Sequence, residues 1–286
     1  MSFQLHIGDW IESIVEFLLD NFQGLFDVIS AIILWLTSAL EGALIGIPNW
    51  ILLLIVVALS FWRVSWKFAL FSLISMALIM SMGLWETTVS TLALVVAATL
   101  ASLVIALPTG IIMAKSDTVE SIVKPILDFM QTMPPFVYLI PAAMFFGLGK
   151  VPGTIATIIF AMPPAVRLTN LGIRQVPKEL VEAGQAFGCT GMQLLRKVQI
   201  PSAMPSIMAG INQNVMMALS MVVIASMIGA GGLGNVVLRG IQRMDIGLGF
   251  EGGIGVVILA ILLDRISQTF GQSAGPSTFA QIKALF

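Results

Sequence analysis

Eight stretches of this 286-residue chain are apolar enough to leave water, at roughly 28–47, 49–62, 66–85, 88–113, 134–149, 152–166, 204–228 and 252–270. A membrane-crossing helix needs about 20 apolar residues, so each stretch reads as a span. The second, fifth and sixth are short or interrupted by Pro and Gly. They are expected to be tilted, broken or shielded by neighbours. Ahead of them, Asp9, Glu12, Glu16 and Asp20 recur every three or four residues, and Ile11, Ile14, Val15, Leu18 and Phe22 take the opposite face. Residues 9–22 thus read as an amphipathic helix that lies along the membrane interface instead of crossing it. Its polar face is acidic, so packing against protein and lying on lipid both stay open. Gly147 to Gly153 reads as a tight external turn, and 273–286 as an exposed tail.

Between the sixth and seventh stretches, residues 167–203 turn polar. With this segment in the cytoplasm, only Lys150, Arg239 and Arg243 of the 14 Lys and Arg residues fall outside. That is the asymmetry expected of cytoplasmic loops. Eight spans then leave both termini cytoplasmic.

Composition sharpens this reading. The chain is 58% hydrophobic and 10% charged, with a mean hydropathy of +1.00, whereas soluble domains carry about 25% charged residues. The net charge of −1 gives no field to attract nucleic acid. One cysteine, Cys189, and one histidine, His6, cannot form an internal disulfide or fill a metal shell. Met1 to Asp9 lack the basic region of a cleavable leader. No cluster of catalytic groups and no ATP-binding motif is present, so the chain is not expected to be an enzyme.

Within the polar segment, Pro177 can open a helix, Lys178 to Phe187 are helix formers apart from Gly184, and Gly188 can end it. A second helical stretch, Gln193 to Gln199, is expected to stop at Pro201. Ala183, Gly184, Ala186 and Gly188 make the first helix thin enough to enter a groove on a partner.

The spacing is Glu182-Ala183-Gly184, three residues, Gly188, nine residues, Val198, one residue, Ile200, then Pro201. It resembles the EAA loop of ABC importer permeases, with Gly184 at the second Ala and Ile200 at the late Leu. Segments 126–141, 161–174 and 218–234 look like permeases of glycine betaine, proline betaine and choline importers. The resemblance runs from about Leu84 to Gln268. Methionine importer permeases share the Ile228–Gly234 type of ending.

The resemblance implies an all-α, polytopic membrane helical bundle of the type I ABC importer fold, with about eight spans and the N-terminal amphipathic helix. Residues 1–85 would be accessory scaffold. Residues 86–272 would be the transport core, with 167–203 as its cytoplasmic coupling loop. Glu182, Ala183, Gly184, Ala186, Phe187, Gly188 and Pro201 would then meet an ATPase, with no room for a side chain at Gly188. The implied partners are a second copy, two ABC ATPase subunits that bind ATP and Mg, an external substrate-binding protein and the bilayer. The implied place is a bacterial or archaeal plasma membrane. The implied task is uptake of glycine betaine or a related quaternary-ammonium solute by alternating access. A methionine or other amino-acid importer is the alternative. An ion-coupled secondary transporter would need more intramembrane ionisable groups than the chain offers.

A betaine route should be wide and weakly polar. Gln213, Met217, Ser220 and Ile224 share one helical face, and methionines nearby are adaptable. Lining a pathway and joining helices are both open readings for the polar members. Phe136 and Tyr138, after Met133-Pro134-Pro135, either touch solute or anchor at the interface. Gly229, Gly231, Gly232 and Gly234 read as an external gate or re-entrant turn that contacts the binding protein, or as a plain loop. They lack the Lys-Ser/Thr ending of a phosphate-binding loop.

Overall fold

The computed structural model describes residues 7–271, and every element among them is helical. His6 and the tail at 273–286 lie outside the described residues. Helix α1 (Ile7–Ile45) contains both the acidic stretch and the first apolar stretch. Only Phe22 leaves helical geometry between them, at φ −124° and ψ 18°. Glu12, Glu16 and Asp20 are exposed, so the acidic turns run into the first span through a kink, with no separating loop.

The next two apolar stretches form a hairpin, α2 (Asn49–Arg63) and α3 (Trp66–Ser81). Ser65 caps α3 by accepting from the Phe68 N–H at 3.2 Å. Ser60 and Ser72 share a buried hydrogen bond of 2.8 Å across the hairpin. At 15 and 16 residues, these helices are about 23 Å long, less than the ~30 Å hydrocarbon layer.

Then follow α4 (Trp85–Lys115), α5 (Asp117–Thr132), α6 (Pro135–Phe146) and α7 (Lys150–Arg174). Helices α5 and α6 meet at 101°, because Met133 precedes Pro134 and is held extended at ψ 135°. All eight apolar stretches are helical, but only five helices among the described residues are long and apolar enough to cross a membrane by themselves. Helices α2, α3 and α6 are shorter than that, and α6 passes the same test only together with α5, as a bent pair.

The polar segment also begins later than expected. Helix α7 continues through Pro163-Pro164 to Arg174, eight residues beyond the apolar stretch. Its polar end pairs mainly with side chains of α5. Arg167 pairs with Asp128. Asn170 donates to Glu120 at 3.0 Å. Arg174 reaches Asp117 at 2.7 Å, Glu120 at 3.1 Å and the Met113 carbonyl at 2.9 Å. Helices α8 (Lys178–Ala186) and α9 (Gly191–Leu194) follow, then α10 (Ile200–Ala225), α11 (Gly232–Arg243) and α12 (Ile246–Gly271).

The core is the trio α4, α7 and α10. Small residues bring these backbones together, as is usual where lipid offers no hydrophobic drive between helices. A Cβ at Gly110 of α4 would lie 2.7 Å from both the Val166 carbonyl and Thr169 Cβ of α7. Gly172 of α7 faces Ser206 and Ala203 of α10, and Gly210 of α10 faces Ala165 of α7. At the centre Asn214, 0% exposed, donates to Ser102 at 2.6 Å and to the Ala161 carbonyl at 2.9 Å. One side chain thus ties all three helices.

Candidate functional site

The loop between α7 and α10 is built on one turn. Phe187 follows α8, and Gly188 takes φ +76°. Its N–H donates to the Gln185 carbonyl at 2.9 Å, and the Cys189 N–H donates to the Gly184 carbonyl at 3.1 Å. This pair of bonds is the Schellman arrangement that closes a helix. Thr190 then caps α9 in a reciprocal capping box with Gln193. Nothing lies within 4 Å of a Cβ placed on Gly188. The expected lack of room there is therefore corrected: the left-handed backbone selects glycine, not a neighbour.

Gly184 is the position with a close neighbour, the flexible end of the Leu194 side chain. A Cβ there would meet Leu194 Cδ1 at 2.7 Å, so α8 lies close against α9 and the turn after it. Lys115 reaches back from α4 to the Gly191 carbonyl at 3.5 Å. Asn is tolerated in left-handed geometry far better than a β-branched residue. Gly188→Asn should therefore keep most solute uptake by the assembled transporter, and Gly188→Val should lose it. The check is radiolabelled uptake at matched protein levels.

The helix does not stop at Pro201. Residues 191–228 form one helical stretch, with Leu195–Gln199 widened to π geometry immediately before Pro201. Proline supplies no N–H and its ring clashes with the carbonyl four residues back. The widened turn takes up that misfit without ending the helix. Pro201 is exposed at the foot of α10.

The outward face of α8 and its turn is apolar and small. Phe187 is 89% exposed, and Leu180 and Met192 are exposed nearby in the sequence. Glu182, Ala183 and Ala186 are also exposed. Glu182 borders a groove of about 420 Å³ with Arg174, Lys178, Gln185 and Gln199. It makes no ion pair among the described residues.

A second site lies along α10. Gln213, Met216, Met217 and Ser220 face Gln131 of α5 and Phe160 and Pro164 of α7 around a cleft of about 350 Å³. Sequence reasoning reaches three of the α10 residues through their shared face. It misses Gln131 of α5 and Phe160 of α7, which oppose α10 only once the three helices pack. Ile224 lies elsewhere, against the cluster of Tyr138, Leu139 and Met221. Tyr138 is buried and donates to the Met130 carbonyl across the α5–α6 bend, with its ring edge toward Phe160 at 6.3 Å. Phe136 is exposed on α6, away from the cleft lining.

The glycine run at the far end of α10 is packed, not loose. Gly229, Gly231 and Gly232 have φ of +88°, +86° and +70°. Gly149 N–H donates to the Ile228 carbonyl at 2.9 Å. A Cβ on Gly232 would fall 2.4 Å from Thr91 Oγ1, and one on Gly234 2.7 Å from the Val223 carbonyl. Thr91 accepts from the buried Leu233 N–H at 2.8 Å, tying the turn to α4. Thr91→Val would leave that N–H without its partner. It should cost about 1–3 kcal/mol, read as a lower unfolding midpoint in lipid or detergent.

The chain has relatives among known proteins. Residues 106–274 match the family described as binding-protein-dependent transport system inner membrane component. The chain is 51% identical over 272 residues to the glycine betaine/carnitine transport permease GbuB of Listeria monocytogenes, covering 94% of this chain and 96% of that one. It is 47% identical to the glycine betaine/proline betaine permease ProW of Escherichia coli, covering 94% and 76%. It is also 47% identical to the glycine betaine permease OpuAB of Bacillus subtilis, covering 93% and 94%. Among solved structures, an inward-facing MetNI methionine ABC transporter chain shares the fold at a TM-score of 0.60 and 23% identity, covering 67% of this chain and 96% of that one. With this helical bundle and these relatives, the chain belongs to the binding-protein-dependent transport system inner-membrane components, as a multi-pass membrane protein.

Proposed function

We propose that this chain is the permease of an ATP-driven importer for glycine betaine or a related quaternary-ammonium compatible solute. The observation that carries this reading is the 47–51% identity, over more than nine-tenths of the chain, to permeases named for glycine betaine. The likeness to the methionine transporter is one of fold and does not compete with it on substrate.

The working unit in this proposal holds two copies of the chain, two ATPase subunits that bind ATP and Mg, and an external binding protein that delivers solute. The loop end of the bundle faces the cytoplasm. Lys115, Arg174, Lys178, Arg196 and Lys197 gather there, while Lys150, Arg239 and Arg243 belong to the opposite end, which supports the assignment. The exposed face of Leu180, Ala183, Ala186 and Phe187 enters a groove on the ATPase, and Glu182 pairs with a basic side chain beside that groove.

The tight turn at Gly188 and the contact of Gly184 with Leu194 make α8 and α9 a single stiff unit. Movement of the ATPase therefore passes through the continuous 191–228 helix to Gln213, Met217 and Ser220. The cleft these residues line offers amide and hydroxyl groups to a carboxylate and an aromatic face, Phe160, to a quaternary ammonium. The glycine turn at 229–234 forms the outer gate. Nucleotide and the loaded binding protein drive the switch only through their different affinities for the inward- and outward-open states.

The test is reconstitution of the chain with its ATPase and binding protein. Glycine betaine should stimulate ATP hydrolysis and enter the vesicles. Stimulation by methionine alone would overturn the substrate assignment.

A further inference from the structure

The α2–α3 hairpin is separated from α4 and α12 by a cavity of about 200 Å³ that shares no lining residue with the cleft along α10. Leu52, Val56 and Leu59 wall it from α2; Leu259, Leu262 and Ile266 wall it from α12. Both sets recur at three or four residues, so the cavity is a slot running along two helices. Its inner end is closed by Met76, Ile79 and Trp85, all buried. Val56, Leu59 and Ile266, toward the other end, are only half-buried. Thr88 is the one polar side chain in the wall, and its hydroxyl is turned onto the Leu84 carbonyl at 2.8 Å. Water entering would find no partner. Apolar voids of about 150 Å³ stay dry and accept benzene, and this one is larger.

The next residue on the α2 stripe is Arg63, and the next on the α12 stripe is Phe270. The Arg63 guanidinium lies 4.7 Å from the Phe270 ring and 4.7 Å from the Trp62 ring. Its Nε is buried and has no acceptor among the described residues. The stripes that wall the alkyl-lined slot thus lead on to a guanidinium with one N–H unpartnered among the described residues, toward the polar end of α12, in a protein that lives in a bilayer. We infer that this slot binds one phospholipid molecule, with an acyl chain between α2 and α12 and a phosphate oxygen accepting from Arg63. The lipid fills the space between the hairpin and the α4–α12 wall and holds the two together.

The test is photo-crosslinking of the full chain in bilayer discs, using phosphatidylglycerol with a diazirine on one acyl chain. Residues 259–266 should be labelled. Val56→Trp and Leu263→Trp, which fill the slot from opposite walls, should each abolish that label and leave the label on lipid-exposed Ile74 and Leu78 unchanged. Arg63→Gln should weaken the label at 259–266 alone, and added inorganic phosphate should not compete.

Label persisting in both filled variants would overturn the site. So would a slot that is labelled only after a stop codon removes residues 272–286, since that segment would then be its occupant. Equal labelling by a diazirine fatty alcohol would overturn the phosphate contact.

Discussion

Replacing Phe187 with aspartate is expected to leave the permease in the membrane and strip it of its motor. Phe187 is 89% exposed at the tip of the loop, with Leu180 and Met192 also exposed. A large aromatic held in water by a fixed turn gains most when a partner covers it. Such anchors cost 2 kcal/mol or more when removed from an interface, which is about a 30-fold loss in affinity. A charge in their place adds a desolvation cost. Phe187→Asp should therefore weaken ATPase binding about 30-fold or more and abolish solute-stimulated ATP hydrolysis. Helix content and membrane yield should match the parent, because the side chain touches nothing that the fold depends on. Ala183→Asp should behave likewise but less severely, since alanine covers less area.

The second large effect lies at the opposite extreme of burial. Gly110→Leu should prevent the core from assembling. Even a Cβ at this position would stand 2.7 Å from the Val166 carbonyl and from Thr169 Cβ. The first of these is backbone of α7, so relief needs α4 and α7 to move apart. Overpacking of this kind costs about 1–3 kcal/mol in soluble cores, and more where backbone must shift. Here the displaced helices also carry Ser102 and Ala161, the two partners of Asn214. Separating them would strand a fully buried amide. Membrane yield and unfolding midpoint should both fall. Gly253→Leu on α12, where nothing lies within 4 Å of a Cβ, is the control expected to be tolerated.

The contrast between these two positions shows what the amino-acid pattern reveals. All eight apolar stretches are legible, because a run of leucine, isoleucine and valine needs no partner to declare that it avoids water. The loop between α7 and α10 is legible for a related reason. Its glycines and alanines are chemically plain, but they interrupt a hydrophobic chain at a spacing that resembles a known family.

Helices α5 and α11 are harder to see. Each buries one face only, so neither forms an apolar run. The end of α7 is hidden by Arg167 and Arg174, which read as solvent-facing until Asp128, Asp117 and Glu120 arrive from α5. Pro201 misleads in the same manner, since one proline normally ends a helix, and only a neighbouring π turn lets it continue. The cleft depends on a fold-level fact. Gln131 of α5 and Phe160 of α7 face Gln213 only through the packing of three helices, and no local pattern reports which helix will face which.

In the proposed mechanism the slim loop from Lys178 to Thr190 receives force from a separate ATPase. The most direct measurement places a photoreactive amino acid at position 187 in the assembled transporter and asks what it captures. The expected result is a cross-link to the ATPase subunit, together with solute uptake only when that subunit and ATP are both present. Labelling of position 187 by a reagent confined to the outer side of the membrane, or uptake by the purified chain alone, would contradict it.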